Sequence, residues 1–244
     1  MESQLAQWPA GTRLLAALYT SISIGVSLVS PGSKKHFACC LANMRVGQCP
    51  WSAITSIFFT PCGTLSKFML AAMELHTASG ALPERERELG TTRFVLWSLL
   101  TGFGSNLVFL GAMRLLVSSS ADSSRLQFSC NQGLWPLAIV CLNLKLLKHP
   151  GDVHIVSVFA PRTLLSAFVT CSVLSGSIQW SSFASLGYSY IQHWLKFEDR
   201  LLPSADVVRR IERGCARRLV SRGLLGGAWL SVQQPPGQGI RLGR

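Results

Sequence analysis

The chain has 244 residues, 48% hydrophobic and only 14% charged, with a formal net charge of +12. Soluble domains carry roughly 25% charged residues spread along the chain, so this composition argues against an ordinary soluble globule and points to lipid as the solvent. The positive charge is a poor nucleic-acid footprint, because stacking aromatics are nearly absent from the basic C-terminal segment.

The charges cluster. Stretches 14–33, 46–66, 94–113, 126–144 and 163–195 contain no Asp, Glu, Lys or Arg, and most are as long as the about 20 apolar residues that a membrane-crossing helix needs. The first predicts a span over 13–30; with Trp8-Pro9 and Arg13 before it and no convincing small-residue cleavage site, it reads as an uncleaved signal anchor. In the second, Pro50 and Pro61 bracket 51–60, and a straight helix through both prolines is unfavourable. An interfacial or re-entrant piece is expected there, followed by a span over 62–78. Further spans are expected at 94–116 and 132–147. The last stretch has 33 residues and is interrupted by Ser175-Gly176-Ser177, which divides it into spans at 159–176 and 181–197. The fold class expected is an all-α membrane protein with a bundle of six transmembrane helices.

With the N-terminus in the cytosol, cytosolic segments hold sixteen of the 23 basic residues and lumenal segments only Lys34, Lys35, Arg45 and Arg125. The positive-inside rule therefore places both termini in the cytosol. The eight cysteines, at 39, 40, 49, 62, 130, 141, 171 and 215, form neither a disulfide framework nor a zinc pattern. No metal or cofactor is expected. Several lie within spans, where Cys behaves as a small hydrophobe; a bridge from Cys49 to Cys39 or Cys40 stays open, since that loop would face an oxidising compartment. Inside the spans stand Lys67, Asn106, Arg114, Gln132, Asn143, Arg162, Gln179 and Gln192. Such groups either pack as interhelical partners or line a wet interior.

One domain boundary falls near Pro203. Before it lies the membrane domain, 1–203. In 204–222, Val207, Val208, Ile211, Cys215 and Leu219 share one helical face among arginines, with Ser204 as N-cap. This reads as a basic amphipathic helix on the anionic leaflet or as a solvated linker. Residues 223–244 are rich in Gly, Gln and Pro and are expected to be a disordered cytosolic tail.

The tail ends in Gly237-Gln238-Gly239-Ile240-Arg241-Leu242-Gly243, which resembles the C-terminal motif Gly-Gln-Gly-x-Arg-Leu-Gly of the Derlin family. There the motif binds the hexameric AAA ATPase valosin-containing protein, and strand-type recognition is intelligible: glycines allow close approach, Leu242 fills a pocket and Arg241 pairs with acidic groups. Pro236 stands where the family usually has an aromatic. Trp8-Pro9, the succession from Trp51 through Phe58-Phe59 to Pro61 and Gly63, Arg93-Phe94-Val95, Ala160-Pro161, Gly187-Tyr188-Ser189-Tyr190 and Glu198-Asp199 with Pro203 are similar, in order, to the family's membrane domain. In the first-loop motif, Trp51 is followed by Ser52 where the family has Arg.

Derlins are rhomboid-like pseudoproteases, and the resemblance extends to the missing dyad. Active rhomboids carry a nucleophilic Ser in Gly-x-Ser-Gly at the fourth span and a His on the sixth, because a hydroxyl needs a base. This chain has Cys130-Asn131-Gln132-Gly133, which places Gln132 at the nucleophile position and Tyr188 at the His position; a shifted pair, Ser129 with His193, is the alternative weighed. The resemblance thus implies a six-span rhomboid-like bundle in the endoplasmic reticulum membrane. It implies a non-catalytic role in endoplasmic-reticulum-associated degradation, with links to the unfolded protein response. Its partners would be the ATPase, a membrane ubiquitin-ligase complex, misfolded substrates, the lipid bilayer and further Derlin copies as homo- or hetero-oligomers, with no nucleic acid. Alternatives are an active intramembrane serine protease, a generic transporter or lipid-handling protein, and a Derlin-like import factor of a plastid-surrounding membrane.

Overall fold

The computed structural model describes residues 8–29, 34–45, 49–119, 126–148, 180–212 and 230, and these are mostly helical. Helix α1 covers Ala10–Val29. Short elements follow: α2 (Lys34–Phe37), β1 (Cys39–Cys40), α3 (Leu41–Arg45) and α4 (Ser52–Thr55), which runs into a 3-10 turn at Ser56–Phe58. The long helices α5 (Leu65–Leu89) and α6 (Thr91–Ser119) are separated by one residue, Gly90, whose φ of 78° is open to glycine at little cost. Then come β2 (Cys130–Asn131), α7 (Trp135–Lys148), α8 (Trp180–Trp194), α9 (Phe197–Leu201) and α10 (Ala205–Ile211). The two strands pair antiparallel, Cys39 opposite Asn131 and Cys40 opposite Cys130. This small ladder was not expected of an all-α chain.

Among the described residues, two helices, α1 and α6, are long and apolar enough to cross a membrane. At 1.5 Å per residue their 20 and 29 residues reach about 30 Å and about 43 Å. The 14 residues of α7 and 15 of α8 reach only about 21–23 Å, shorter than a usual bilayer core of about 30 Å. The expected span 159–176 lies outside the described residues, as do Arg162 and Gln179.

Helix α5 departs most from the expected 62–78. It continues through Pro83, whose ring lacks the N–H that Ser79 would need, as far as Leu89. The charged run 84–88 is therefore helix, and Ala78, Leu82, Arg85, Glu86 and Leu89 are all buried along it. Tertiary packing holds together what local propensity would break.

Helices α7 and α8 pack on each other and on α6, while α5 packs against α7 and α6, and α1 lies over α5, α6 and the 3-10 turn. Tyr19, Phe94, Trp97, Leu134 and Leu137 form the main apolar core. A second cluster joins Cys39, Ala53, Phe109, Met113 and Ala184 near the strands. Outward, the first turns of α5 expose Leu65, Phe68, Met69, Leu70 and Met73, with Leu65 78% exposed. Inward, Thr12, Glu74, Ser98, Ser105, Asn106 and Asn143 are buried. Buried polar groups thus stand beside the apolar core, and large apolar groups lie on the outside of α5.

Candidate functional site

The polar interior has two ends, both organised by carboxylates of α5. At one end Glu86, fully buried, accepts from the backbone N–H of Gly11 at 2.8 Å and of Thr12 at 2.6 Å, and from the Thr12 and Thr91 hydroxyls. The first amides of a helix have no intrahelical partner, so Glu86 caps α1 from another helix and sits where the helix dipole favours an anion. Beside it, Arg85 pairs with Glu88 and Glu198, and its guanidinium lies 5.1 Å from the Trp97 ring centroid. Lys148 adds a 2.9 Å contact to Glu198. Burial alone would raise the Glu198 carboxyl, but Arg85 and Lys148 together hold it below the usual range. Arg85 is held above its ordinary value: burial pulls it down, and Glu198 and Glu88 outweigh that pull. A cavity of about 150 Å³ lined by Glu84, Arg85, Glu88, Cys141 and Lys145 opens here.

At the other end Glu74 accepts on one oxygen from the Tyr19 hydroxyl (2.8 Å), the Thr60 hydroxyl (2.9 Å) and the Leu134 N–H (3.3 Å). It thus does for the entry to α7 what Glu86 does for α1. Gly133 makes this geometry accessible, since its φ is 86° and a Cβ there would lie 2.2 Å from Glu74 Oε2 and 2.5 Å from Thr60 Oγ1. Its N–H donates to the Ser56 carbonyl at 2.8 Å. Next to it, Asn131 donates to Asn106 Oδ1 at 2.8 Å, and Asn106 donates to Ala53 O and Ser56 Oγ. Thr60 N–H and Cys62 N–H donate to Ser23 and Ser27 of α1. The residues that sequence motifs put in the first loop and before the fourth span are thereby gathered into one polar node.

The two positions set by the rhomboid resemblance are not joined. Gln132 is half-buried at the node, whereas the Tyr188 hydroxyl is aimed at α6, 3.5 Å from the Leu100 carbonyl, with its ring against Phe197. Among the described residues no hydrogen bond links them. Ser129 and His193 are also apart: Ser129 precedes β2, while His193 is exposed near the far end of α8, about 20 Å along the helix from Trp180. Trp51 is 53% exposed and Ser52 is buried with its hydroxyl toward Met44. Cys49 forms no bridge to Cys39 or Cys40, all three being free thiols; its sulfur is 2.9 Å from His36 Nδ1, and Cys40 stands opposite Cys130. Ser204 stands at the N-cap of α10 without a side-chain cap bond.

Among the polar residues expected in spans, Asn106, Asn143 and Gln192 are buried and bridge helices, Asn143 to Ser189 and Gln192 to Thr101 at 2.8 Å. Lys67 and Arg114 are exposed. Sequence reasoning missed Glu74 and Glu86. The available signal for Glu74 was a lone carboxylate within an otherwise apolar run, which by default marks an internal partner. The motif 237–243 lies outside the described residues. Of the expected tail only Leu230 is described; it donates to Thr91 Oγ1 at 3.0 Å and accepts from Thr91 N–H at 2.8 Å.

Compared with protein-family models, curated proteins and solved structures, the chain matches none.

Proposed function

We propose that this chain is a non-catalytic, multi-pass component of endoplasmic-reticulum-associated degradation. In this reading it is built as a six-span rhomboid-like bundle with cytosolic termini, and it recruits the valosin-containing AAA ATPase through Gly237, Gln238, Gly239, Ile240, Arg241, Leu242 and Gly243. The observation that carries the recruitment is the tail motif itself, a seven-residue stretch that matches all six specified residues of a peptide the Derlin family uses for that purpose.

The membrane part of the reading is supported by the apolar length of α1 and α6, by the exposed apolar face of α5 and by the shortness of α7 and α8. Helices shorter than the hydrocarbon core thin the bilayer around them, which eases passage of an unfolded chain. Three buried amide oxygens, on Asn131, Asn143 and Gln192, have no protein partner among the described residues. Left dry, each would cost about 1–3 kcal/mol, so they favour a hydrated interior. The absence of proteolysis in this reading rests on Gln132, which has no nucleophilic oxygen to activate, and on Tyr188, a poor base near neutral pH.

The experiment is affinity purification of the full chain in mild detergent, with and without residues 231–244. Recovery of the ATPase and ubiquitin-ligase components by the full chain, and loss of the ATPase from the truncated one, is the expected result. Equal recovery of the ATPase by both chains, or by neither, would remove the motif's role. Arg241→Ala with Leu242→Ala should reproduce the truncation, because binding energy concentrates in a few anchors.

A further inference from the structure

We propose that Cys40 and Cys130 are the two halves of a reversible disulfide that fastens β1 to β2 and so clips the first-loop segment to the entry of α7. This does not depend on the ATPase tail or on the degradation role. It rests on where the strand register puts two thiols 90 positions apart in sequence.

Cys40 lies directly opposite Cys130 in the antiparallel ladder. Side chains so placed have Cβ atoms about 4.5–5.5 Å apart, and a disulfide needs about 3.5–4.5 Å, so closure asks for a shift of about an ångström. The Cys130 thiol itself donates to the Phe128 carbonyl at 3.2 Å, so closure also turns its sulfur from that carbonyl toward Cys40. The neighbouring Cys130 thiol, with the N–H groups of Asn43 and Ala42, outweighs burial and brings the Cys40 thiol down to about 6, while Cys40 and burial push Cys130 up. Cys40 is therefore the sulfur that carries thiolate character. Cys130 is the more accessible of the two.

The other nearby cysteines are otherwise engaged. Cys39 is on the opposite face of the strand, fully buried beside Phe109 and Met113. Cys49 is buried against His36. Among the described residues no group of three His, Cys, Asp or Glu side chains converges to hold a metal, so a zinc reading of these thiols has no support.

The oxidant is a disulfide of the glutathione or dithiol-oxidoreductase class, RSSR. The Cys40 thiolate, its proton released to solvent, attacks one sulfur of RSSR and expels RS⁻. The Cys130 thiol passes its proton to that RS⁻, attacks the Cys40 sulfur of the mixed disulfide and expels the second RS⁻, which takes up a proton from solvent. Two cysteine thiols become one disulfide, and RSSR becomes two RSH. The consequence in the fold is local: β2 leads into Asn131 and Gly133, which bond Asn106 and the Ser56 carbonyl, so the bridge tightens the polar node around Glu74.

The test uses purified full-length chain in detergent, equilibrated across glutathione buffers from reduced to oxidised. Free thiols are counted with a mass-tagged maleimide, and tryptic peptides 36–45 and 126–145 are sought as a joined pair. Oxidation should remove two labelled thiols, yield the joined pair with fragmentation placing the bond on Cys40 and Cys130, and reverse with dithiothreitol. Cys40→Ser and Cys130→Ser should each abolish the pair, and Cys49→Ser should leave it intact. A bond through Cys39, Cys49 or Cys141 instead, or no joined pair in oxidised buffer from wild-type chain that keeps its helical circular dichroism, overturns the proposal.

Discussion

The two ends of the bundle solve the same problem with different chemistry. At one, Glu86 caps α1 and ions close the rest: Arg85 with Glu198 and Glu88, Lys148 with Glu198, Lys145 with Glu84. At the other, Glu74 caps the entry to α7 and the remaining partners are neutral: Tyr19, Thr60, Asn106, Asn131, two serines of α1 and a pair of thiols. Helix α5 carries both carboxylates, twelve residues or about 18 Å apart, and works as a brace between them. The difference teaches which variable each end obeys. The ionic end answers to protons and salt, and the neutral end to backbone geometry and redox state.

The sharpest way to break the comparison is at the caps. Glu86→Ala removes the acceptor of four hydrogen bonds at a site with no access to water. Hydrogen bonds to a charged group contribute about 1.5–3 kcal/mol, and buried donors left unpaired add to that, so the loss should be about 3–5 kcal/mol in thermal unfolding in detergent. Glu86→Gln keeps the shape and an acceptor and should lose less than half as much. Equal losses for Ala and Gln would mean that the site needs the charge rather than the acceptor.

At the neutral end the corresponding break is steric. Gly133→Ala places a Cβ on a backbone with φ of 86°, against Glu74 and Thr60. Strain at such a φ costs about 1–3 kcal/mol, and overpacking adds to it; a loss of about 2–4 kcal/mol by the same measurement is expected. Gly133→Ala with Thr60→Ser tests whether the clash is local, since removing the threonine methyl gives Glu74 room to shift. No recovery in the double variant would put the strain in the backbone.

A smaller effect separates the ends by pH. Glu198 is depressed in the fold by Arg85 and Lys148 against the effect of burial. A depressed carboxyl contributes stability that is present above its unfolded value, about 4.3, and is lost as pH falls through its lower folded value. Amide exchange in the last turns of α5 and in α9 should therefore rise below about pH 4. With Glu198→Gln that acid-dependent rise should be much reduced, because the titrating group is gone.

How much of this could be read from the chain follows from where each partner comes from. Helices α1 and α6 coincide with charge-free stretches, because each meets its own requirements along a continuous apolar run. The last turns of α5 were hidden, since Glu84 to Glu88 look like a solvated loop until Glu198 and the N-terminus of α1 supply partners 113 and 75 positions away. The Gly133 turn was visible only through a family resemblance, which pointed at Gln132 beside it and not at Glu74. The strand pair escaped notice because two residues per strand carry no periodicity. Trp51 and Ser52 were singled out as a first-loop motif, yet what the structure adds is Ser56, four residues on, at the centre of the Asn106 contacts.

The smallest effect expected is at Lys145, and its smallness is informative. Lys145 contacts Glu84 at 2.7 Å, but both side chains are about half exposed, 52% and 48%. Exposed pairs of this kind contribute about 0–1 kcal/mol, since water screens the attraction and ordering two long side chains offsets it. Lys145→Ala should therefore shift stability by about 0.5 kcal/mol or less, and even that should vanish in 1 M salt, where the screening length falls to about 3 Å. Arg85, 5% exposed, should behave oppositely: Arg85→Ala strands Glu198 without its main partner and leaves the Trp97 face uncovered. Most of its effect should persist in high salt, because the guanidinium is 5% exposed and is screened far less than a surface pair. If both variants lost stability equally and both effects disappeared with salt, the ionic end would be a surface cluster, and Glu86 alone would hold that side of the bundle.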